Sequence, residues 1–284
     1  MKILILGSTG MLGTYLCDSS IHTDYLLDFP FGKRDGRVDY LKPTEVILEI
    51  SRIEPDVVIN CVAITSFDYC ENFPKEAEQV NSLTPGLISN FCFERDIYFI
   101  HVSTDHFYVN DKNLSHPEDH PVEAINHYAK TKYDAEKYVL DNRDALVLRT
   151  SIIGRNSRKS SFLDWLLDAM ENNKNIDLFE DAYTSFIHCS ELSSLIFQLI
   201  EYRPSGLFNL ASNDVFSKAD FAIALARQLK FDLQYKLKSV DSLMVKRANS
   251  CGLDSSNISA LLNINLPTMA DTVHATANEF IKKG

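Results

Sequence analysis

The sequence predicts an α/β protein, a Rossmann-type doubly wound parallel sheet with a smaller, mostly C-terminal substrate-binding lobe. Three observations predict it. A short apolar run, Ile3-Leu4-Ile5-Leu6, stops at a glycine turn, Gly7-Ser8-Thr9-Gly10-Met11-Leu12-Gly13. Further apolar runs then alternate with amphipathic stretches, the pattern of parallel strands joined by helical crossovers. Several of those runs end in small or hydroxylated residues, at the strand ends where open α/β sheets bind ligands.

The 284 residues are 45% hydrophobic, enough to bury a core in one nucleotide-binding domain with a smaller partner. We expect the NAD(P)-binding domain over residues 1–150 and the substrate lobe mainly over 151–284, with some segments returning to the first core. A formal charge of −11 argues against nucleic acid or an anionic membrane as main partner, since both require a surplus of Lys and Arg on one face. No apolar run approaches the length of a bilayer, so a cytoplasmic protein is expected. The cysteines, Cys17, Cys61, Cys70, Cys92, Cys189 and Cys251, form no CxxC pair and suit reduced thiols. The histidines are dispersed, and the group from His116 to His127 lacks cysteine partners, so no metal site is expected.

In chain order, the glycine turn leads from the first strand into a helix over about Met11 to Ser20. Gly7 allows the tight turn, Gly10 a close backbone approach to a ligand, and Gly13 close helix–strand packing. The freed N–H groups at that helix start would receive a pyrophosphate. Tyr25-Leu26-Leu27 reads as a second strand ending in Asp28, 21 positions beyond Gly7, where dinucleotide-binding units place a carboxylate for the adenosine ribose. Lys33 and Arg34 follow and would suit a 2′-phosphate, so NAD and NADP both stay open. A helix over about Pro43 to Arg52 and a strand, Val57 to Cys61, bring Ala63 and Thr65 to the ligand edge. A long helical pattern from about Lys75 to Arg95 is interrupted by Pro85-Gly86, which predicts a kink or register adjustment. The strand Tyr98 to Val102 delivers Ser103-Thr104-Asp105, with His101 inside it as a core residue. A polar loop over about 110–126 leads to a helix carrying Tyr128 and Lys132, four apart and therefore on one face. Ala145 to Arg149 is another buried strand. Beyond it lie a helix over Phe162 to Glu171, an extended Tyr183 to His188, a helix over Glu191 to Ile200 and a strand over Gly206 to Leu210. Helices near Lys218 to Leu229, Ser255 to Leu262 and Met269 to Ile281 complete the chain.

The glycine turn, the Ser103-Thr104-Asp105 strand end and the Tyr128/Lys132 face would meet at one sheet edge. A phenol with its ordinary pKa of about 10 relays protons poorly at neutral pH, but an ammonium group one helical turn away favours the phenolate. Tyr128 then becomes a usable acid or base, with Thr104 or Ser103 steadying a carbonyl oxygen.

These motifs, with Asn60-Cys61-Val62-Ala63, Val80-Asn81, Arg149-Thr150-Ser151 and a late Arg247-Ala248-Asn249-Ser250, resemble the extended short-chain dehydrogenase/reductase superfamily and, within it, the dTDP-4-dehydrorhamnose reductase family. The resemblance implies reduction of the C4 ketone of a nucleotide-linked 4-keto-6-deoxy sugar with NADPH or NADH. It implies that Tyr128, Lys132 and Thr104 are catalytic, and that Gly7, Thr9, Gly10, Met11 and Leu12 surround the pyrophosphate. Asp39 and Tyr40 would meet the adenine, and Ala63, Thr65 and Ser103 would complete the cofactor site with Asp28, Tyr128 and Lys132. Thr104, Asp105, Arg247 and Asn249 would bind the sugar nucleotide, with Arg247 as the diphosphate partner. A homodimer through the Tyr128 helix and the long helix before it is a further expectation.

Four departures from the family pattern stand out. His106-Phe107-Tyr108 replaces Tyr-Val-Phe, Ile152 replaces an aromatic residue, Ala248 replaces a proline, and Tyr15 occupies the position of a glutamate that binds metal between subunits in some relatives. The first three bear on the identity of the sugar, and the fourth removes the expectation of that metal. An epimerase or dehydratase of the same superfamily remains an alternative. So does a non-catalytic NAD(P)-binding regulatory subunit of the kind associated with methionine adenosyltransferase.

Overall fold

The structure, a computed structural model, describes residues 1–19, 26–28, 38–111, 114–155 and 161–283. At its centre is a six-stranded parallel sheet. Four strands precede the middle of the chain: β1 (Lys2–Leu6), β2 (Leu26–Asp28), β3 (Val57–Asn60) and β4 (Tyr98–Val102). With strands Leu146–Arg149 and Gly206–Asn209 they give the spatial order 206–209, 146–149, β4, β3, β1, β2. Neighbours are in register, Ile5 beside Ile59 and Asn60 beside His101. Strands covered on both faces read as unbroken apolar runs, and Ile3, Leu4, Ile5 and Leu6 are all 0% exposed. Each such side chain contributes about 1.5–3 kcal/mol relative to exposure.

The chain divides into two compact units. The first comprises 1–104, 124–148 and 193–208 and holds most of that sheet. Its crossovers include α1 (Met11–Ser19) and α2 (Pro43–Ile53). The helix expected over 75–95 is three pieces, α-helical at Pro74–Glu78, π-helical at Gln79–Leu83, and α-helical again at Thr84–Phe93. Pro85 has no N–H to offer the carbonyl four residues back, and the wider π turn supplies the register adjustment just before it. The His127–Leu140 helix starts on Asn126, whose side chain accepts from Ala129 N at 2.8 Å.

The second unit comprises 105–123, 149–192 and 209–284. Its largest sheet runs Phe216–Ser217, Tyr183–Thr184, Ser250–Leu253, Ser115–His116. Two-stranded pairs form between Ile152–Ile153 and Ile187–His188 and between Ile176–Phe179 and Tyr235–Lys238. Helices Phe162–Glu171 and Lys218–Leu229 each begin with a reciprocal serine–aspartate cap, Ser161 with Asp164 and Ser217 with Asp220. Their apolar faces share a core with Phe186, which meets Phe221 edge-on at 5.5 Å. All six cysteines are free, and no helix among the described residues is long and apolar enough to cross a membrane.

Candidate active site

β1 delivers the chain to Gly7 at φ +87°, a conformation strained for any L side chain. Gly10 N donates to Gly7 O at 2.9 Å to close the turn, and Thr14 N donates to Gly10 O at 3.0 Å as α1 begins. The N–H groups of Met11, Leu12 and Gly13 precede any intrahelical acceptor, and the helix dipole adds its positive end there. A Cβ on Gly13 would lie 2.1 Å from Gly7 O, so only glycine lets α1 close onto the turn. A Cβ on Gly10 would reach only Gly7 O, at 3.2 Å. Thr9 is exposed beside this cradle, which fits a pyrophosphate group.

Asp28 ends β2, and its side chain lies outside the described residues, as do Lys33 and Arg34. Asp39 uses Oδ1 to accept from Leu41 N at 3.1 Å, while the Tyr40 hydroxyl is buried without a hydrogen bond. Burial pushes that phenol well above its usual range.

Beyond β3, the loop bearing Ala63 and Thr65 is held by Asn81, a residue of the π turn. Asn81 accepts from Ile64 N at 2.7 Å, donates to Ile64 O at 3.0 Å, and reaches Thr131 Oγ1 at 3.2 Å. It is 0% exposed. The widened turn thus binds the loop to the Tyr128 helix, a role the sequence pattern alone did not assign.

Tyr128 and Lys132 are both buried on the inner face of the His127–Leu140 helix. The Tyr128 ring packs edge-on against Phe67 with centroids 5.1 Å apart. Lys132 Nζ donates to Val102 O at 2.8 Å and meets His101 Nε2 at 3.1 Å. His101, expected only as core, therefore touches the site. Asn60 Oδ1 accepts from Val62 N, so its Nδ2 donates to His101 Nδ1 at 3.0 Å. The ring proton then sits on Nε2 and asks Lys132 Nζ to accept. Burial makes the charged amine costly, and the Lys132 pKa falls from 10.5 to about 8 against the opposing fields of Glu136 and Cys61. Burial, reinforced by Lys132, holds His101 neutral. Ser103 and Thr104 follow β4 and are buried, and the Ser103 hydroxyl donates to Glu136 at 2.5 Å.

In the second unit, Asp105 is buried and its carboxylate lies 3.8 Å from His106 Nε2. Burial lowers the His106 pKa to about 4, and the positive fields of Lys218 and Arg247 add to it against Asp105. Arg247 is exposed. Lys218, a second cation acting on the same imidazole, escaped the sequence reading because it sits inside an ordinary amphipathic helix start. Asn249 donates to Asn110 Oδ1 at 2.8 Å and accepts from Asn110 N at 2.7 Å, so its amide also shapes the loop.

A family model described as the RmlD substrate binding domain matches residues 1–281. The probable low-salt glycan biosynthesis reductase Agl14 of Haloferax volcanii is 28% identical over 300 residues, covering 99% of this chain and 98% of that protein. A dTDP-4-dehydrorhamnose reductase of Mycolicibacterium smegmatis is 29% identical over 227 residues, 78% of this chain and 68% of that protein. Among solved structures, dTDP-4-dehydrorhamnose reductase from Bacillus anthracis in complex with NADP superposes with a TM-score of 0.89 over 99% of both chains at 20% identity. That likeness establishes the Rossmann-type fold.

Proposed function

Because the chain belongs to the RmlD substrate binding domain family, we propose that it is an NADPH-dependent reductase of the C4 ketone of a nucleotide-linked 4-keto-6-deoxy sugar. The observation that carries this reading is the buried Tyr128/Lys132 pair on one helix face, with Lys132 anchored on Val102 and His101 immediately before Ser103-Thr104. The relatives named as reductases support it, as does the NADP held by the Bacillus anthracis protein.

The reduced nicotinamide supplies hydride when bound. The turn from Gly7 to Leu12 holds the pyrophosphate, Asp28, Asp39 and Tyr40 serve the adenosine end, and Ala63, Thr65, Ser103 and Lys132 serve the central part of the cofactor. Thr104 donates to the ketone oxygen. Tyr128 passes its phenolic proton to that oxygen as the carbonyl becomes an alcohol, and Lys132, with its lowered pKa, stabilises the resulting phenolate. Asp105, Arg247 and Asn249 bind the sugar nucleotide, with Arg247 and Lys218 as cations for its diphosphate. Residues 1–150 thus act mainly on cofactor and 151–284 mainly on substrate. The protein works in the cytoplasm, a placement supported by its free thiols. Exposed Leu83, Leu87 and Tyr138 on the two helices expected at a dimer contact support a homodimer, which light scattering tests directly.

The deciding assay is NADPH oxidation with enzymatically generated dTDP-4-keto-6-deoxy sugars, supplied with and without 3,5-epimerisation. Tyr128→Phe lowers kcat by about 10²–10⁴-fold and leaves NADPH binding intact. Wild-type turnover in that variant refutes the mechanism. NADPH binding without turnover on any such sugar favours the regulatory-subunit alternative.

A further inference from the structure

The second unit gathers three side chains that the function above does not use. Asp111, His116 and His120 stand close together, with one ligand atom from each lying within 4.8 Å of the others. His116 Nε2 is 3.4 Å from Asp111 Oδ2, and His120 Nε2 is 2.8 Å from the same oxygen. His116 is 0% exposed. Its other nitrogen, Nδ1, lies 2.8 Å from Gly252 O. A carbonyl only accepts, so this contact fixes the proton of the neutral ring on Nδ1. Nε2 is left with a lone pair, and it makes no hydrogen bond. The group it faces is a carboxylate oxygen, which also offers only lone pairs.

Two acceptors facing each other, one of them on a fully buried ring, repel unless a cation lies between them. A proton on His116 would serve, but it would make a cation of a ring that is 0% exposed. A metal ion meets the same need without protonating the ring. Tetrahedral zinc with bonds of about 2.0–2.1 Å sets its ligand atoms roughly 3.3–3.4 Å apart, the separation of His116 Nε2 and Asp111 Oδ2. The His-x₃-His spacing falls within the range used by zinc sites. The Nδ1–H contact to Gly252 O is the kind of outer bond that orients a metal-bound imidazole. The surroundings are firm: Tyr108 stacks on His116 with centroids 4.0 Å apart and is held in turn by Arg149, whose Nη1 donates to its hydroxyl at 2.9 Å.

We propose that Asp111, His116 and His120 form a binding site for a divalent first-row transition ion, Zn²⁺ by its donor set, with a fourth position for water. The expectation of no metal rested on the missing cysteines, whereas two imidazoles and a carboxylate form an equally competent set. Ligation moves the His120 proton from Nε2 to Nδ1 and releases none. The ion would staple the segment after β4 onto the Ser250–Leu253 strand, where Leu253 already pairs with His116 and Asn249 already clasps Asn110.

The test uses the full-length protein, stripped with a chelator and titrated with Co²⁺ while its visible absorbance is followed. One equivalent should saturate the protein with the bands of a four-coordinate nitrogen and oxygen site, and Zn²⁺ should bleach them. Asp111→Asn and His120→Ala, both at partly exposed positions, should weaken binding by at least about a hundredfold, since each removes a direct ligand where loss of an outer partner alone costs 10–100-fold. Circular dichroism verifies that each variant is folded, and either one alone suffices. Absence of saturable binding overturns the proposal. So does binding that survives in a folded variant, or a thiolate charge-transfer band, which would place the ion on cysteine. Binding is read without nucleotide or sugar, so its outcome is independent of the reductase assignment.

Discussion

Replacing Lys132 with methionine isolates the cost of burying an amine at the catalytic centre. In the folded protein Lys132 gives up its proton near pH 8, and in the unfolded chain near 10.5. Between these values the unfolded chain holds the extra proton, so stability rises with pH across that window. Below pH 8 the ammonium is present in both states, and the full penalty, roughly 3 kcal/mol, acts against folding. Lys132→Met removes that penalty and also deprives Val102 O and His101 Nε2 of a partner, a loss of about 1–3 kcal/mol. The opposing effects leave the variant within about 2 kcal/mol of wild type at pH 7. The decisive quantity is the slope. Urea unfolding at pH 7 and pH 10 should show wild type gaining most of roughly 3 kcal/mol that Lys132→Met does not gain. Parallel pH dependence in the two proteins would refute the buried-amine account. The variant should also lose turnover, since Tyr128 then lacks the neighbouring cation that stabilises its phenolate.

Two further perturbations probe other parts of the frame. Gly13→Ala places a Cβ at 2.1 Å from Gly7 O, so α1 must retreat from the turn. Expected are a loss of about 1–3 kcal/mol in chemical denaturation and a marked weakening of NADPH binding, and unchanged binding by fluorescence titration would count against the cradle. His106 is held neutral down to about pH 4 in the fold but protonates near 6.5 when unfolded. Stability should therefore fall by up to roughly 3 kcal/mol as pH drops through that interval. His106→Gln should flatten that part of the acid-unfolding profile, and an unaltered profile would show that His106 is not the responsible group.

Much of the fold follows from local pattern. β1, the glycine turn and α1 are legible because a buried parallel strand needs an unbroken apolar run and a tight turn needs glycine. Helices 162–171 and 218–229 carry their serine–aspartate caps in the sequence and form over those residues. The pairing of Ile176–Phe179 with Tyr235–Lys238 was not legible, because Tyr235-Lys236-Leu237-Lys238 alternates over only four residues and its partner strand lies far away in the sequence.

What the sequence by itself determined is the chemistry that neighbours in the chain impose on one another. Tyr128 and Lys132 share a helix face because they are four apart, and Gly7, Gly10 and Gly13 shape one turn because they lie within seven residues. Only the tertiary structure decided what surrounds them. Lys132 loses affinity for a proton because the fold buries its amine, with His101 and the Val102 carbonyl as its neighbours. Asn81 holds the Ala63–Thr65 loop because a π turn aims its amide there. Asp111, His116 and His120 become a candidate metal site because Gly252, far along the chain, fixes the tautomer of one ring. Proton positions and desolvation depend on which atoms meet through space, and sequence separation carries no record of that.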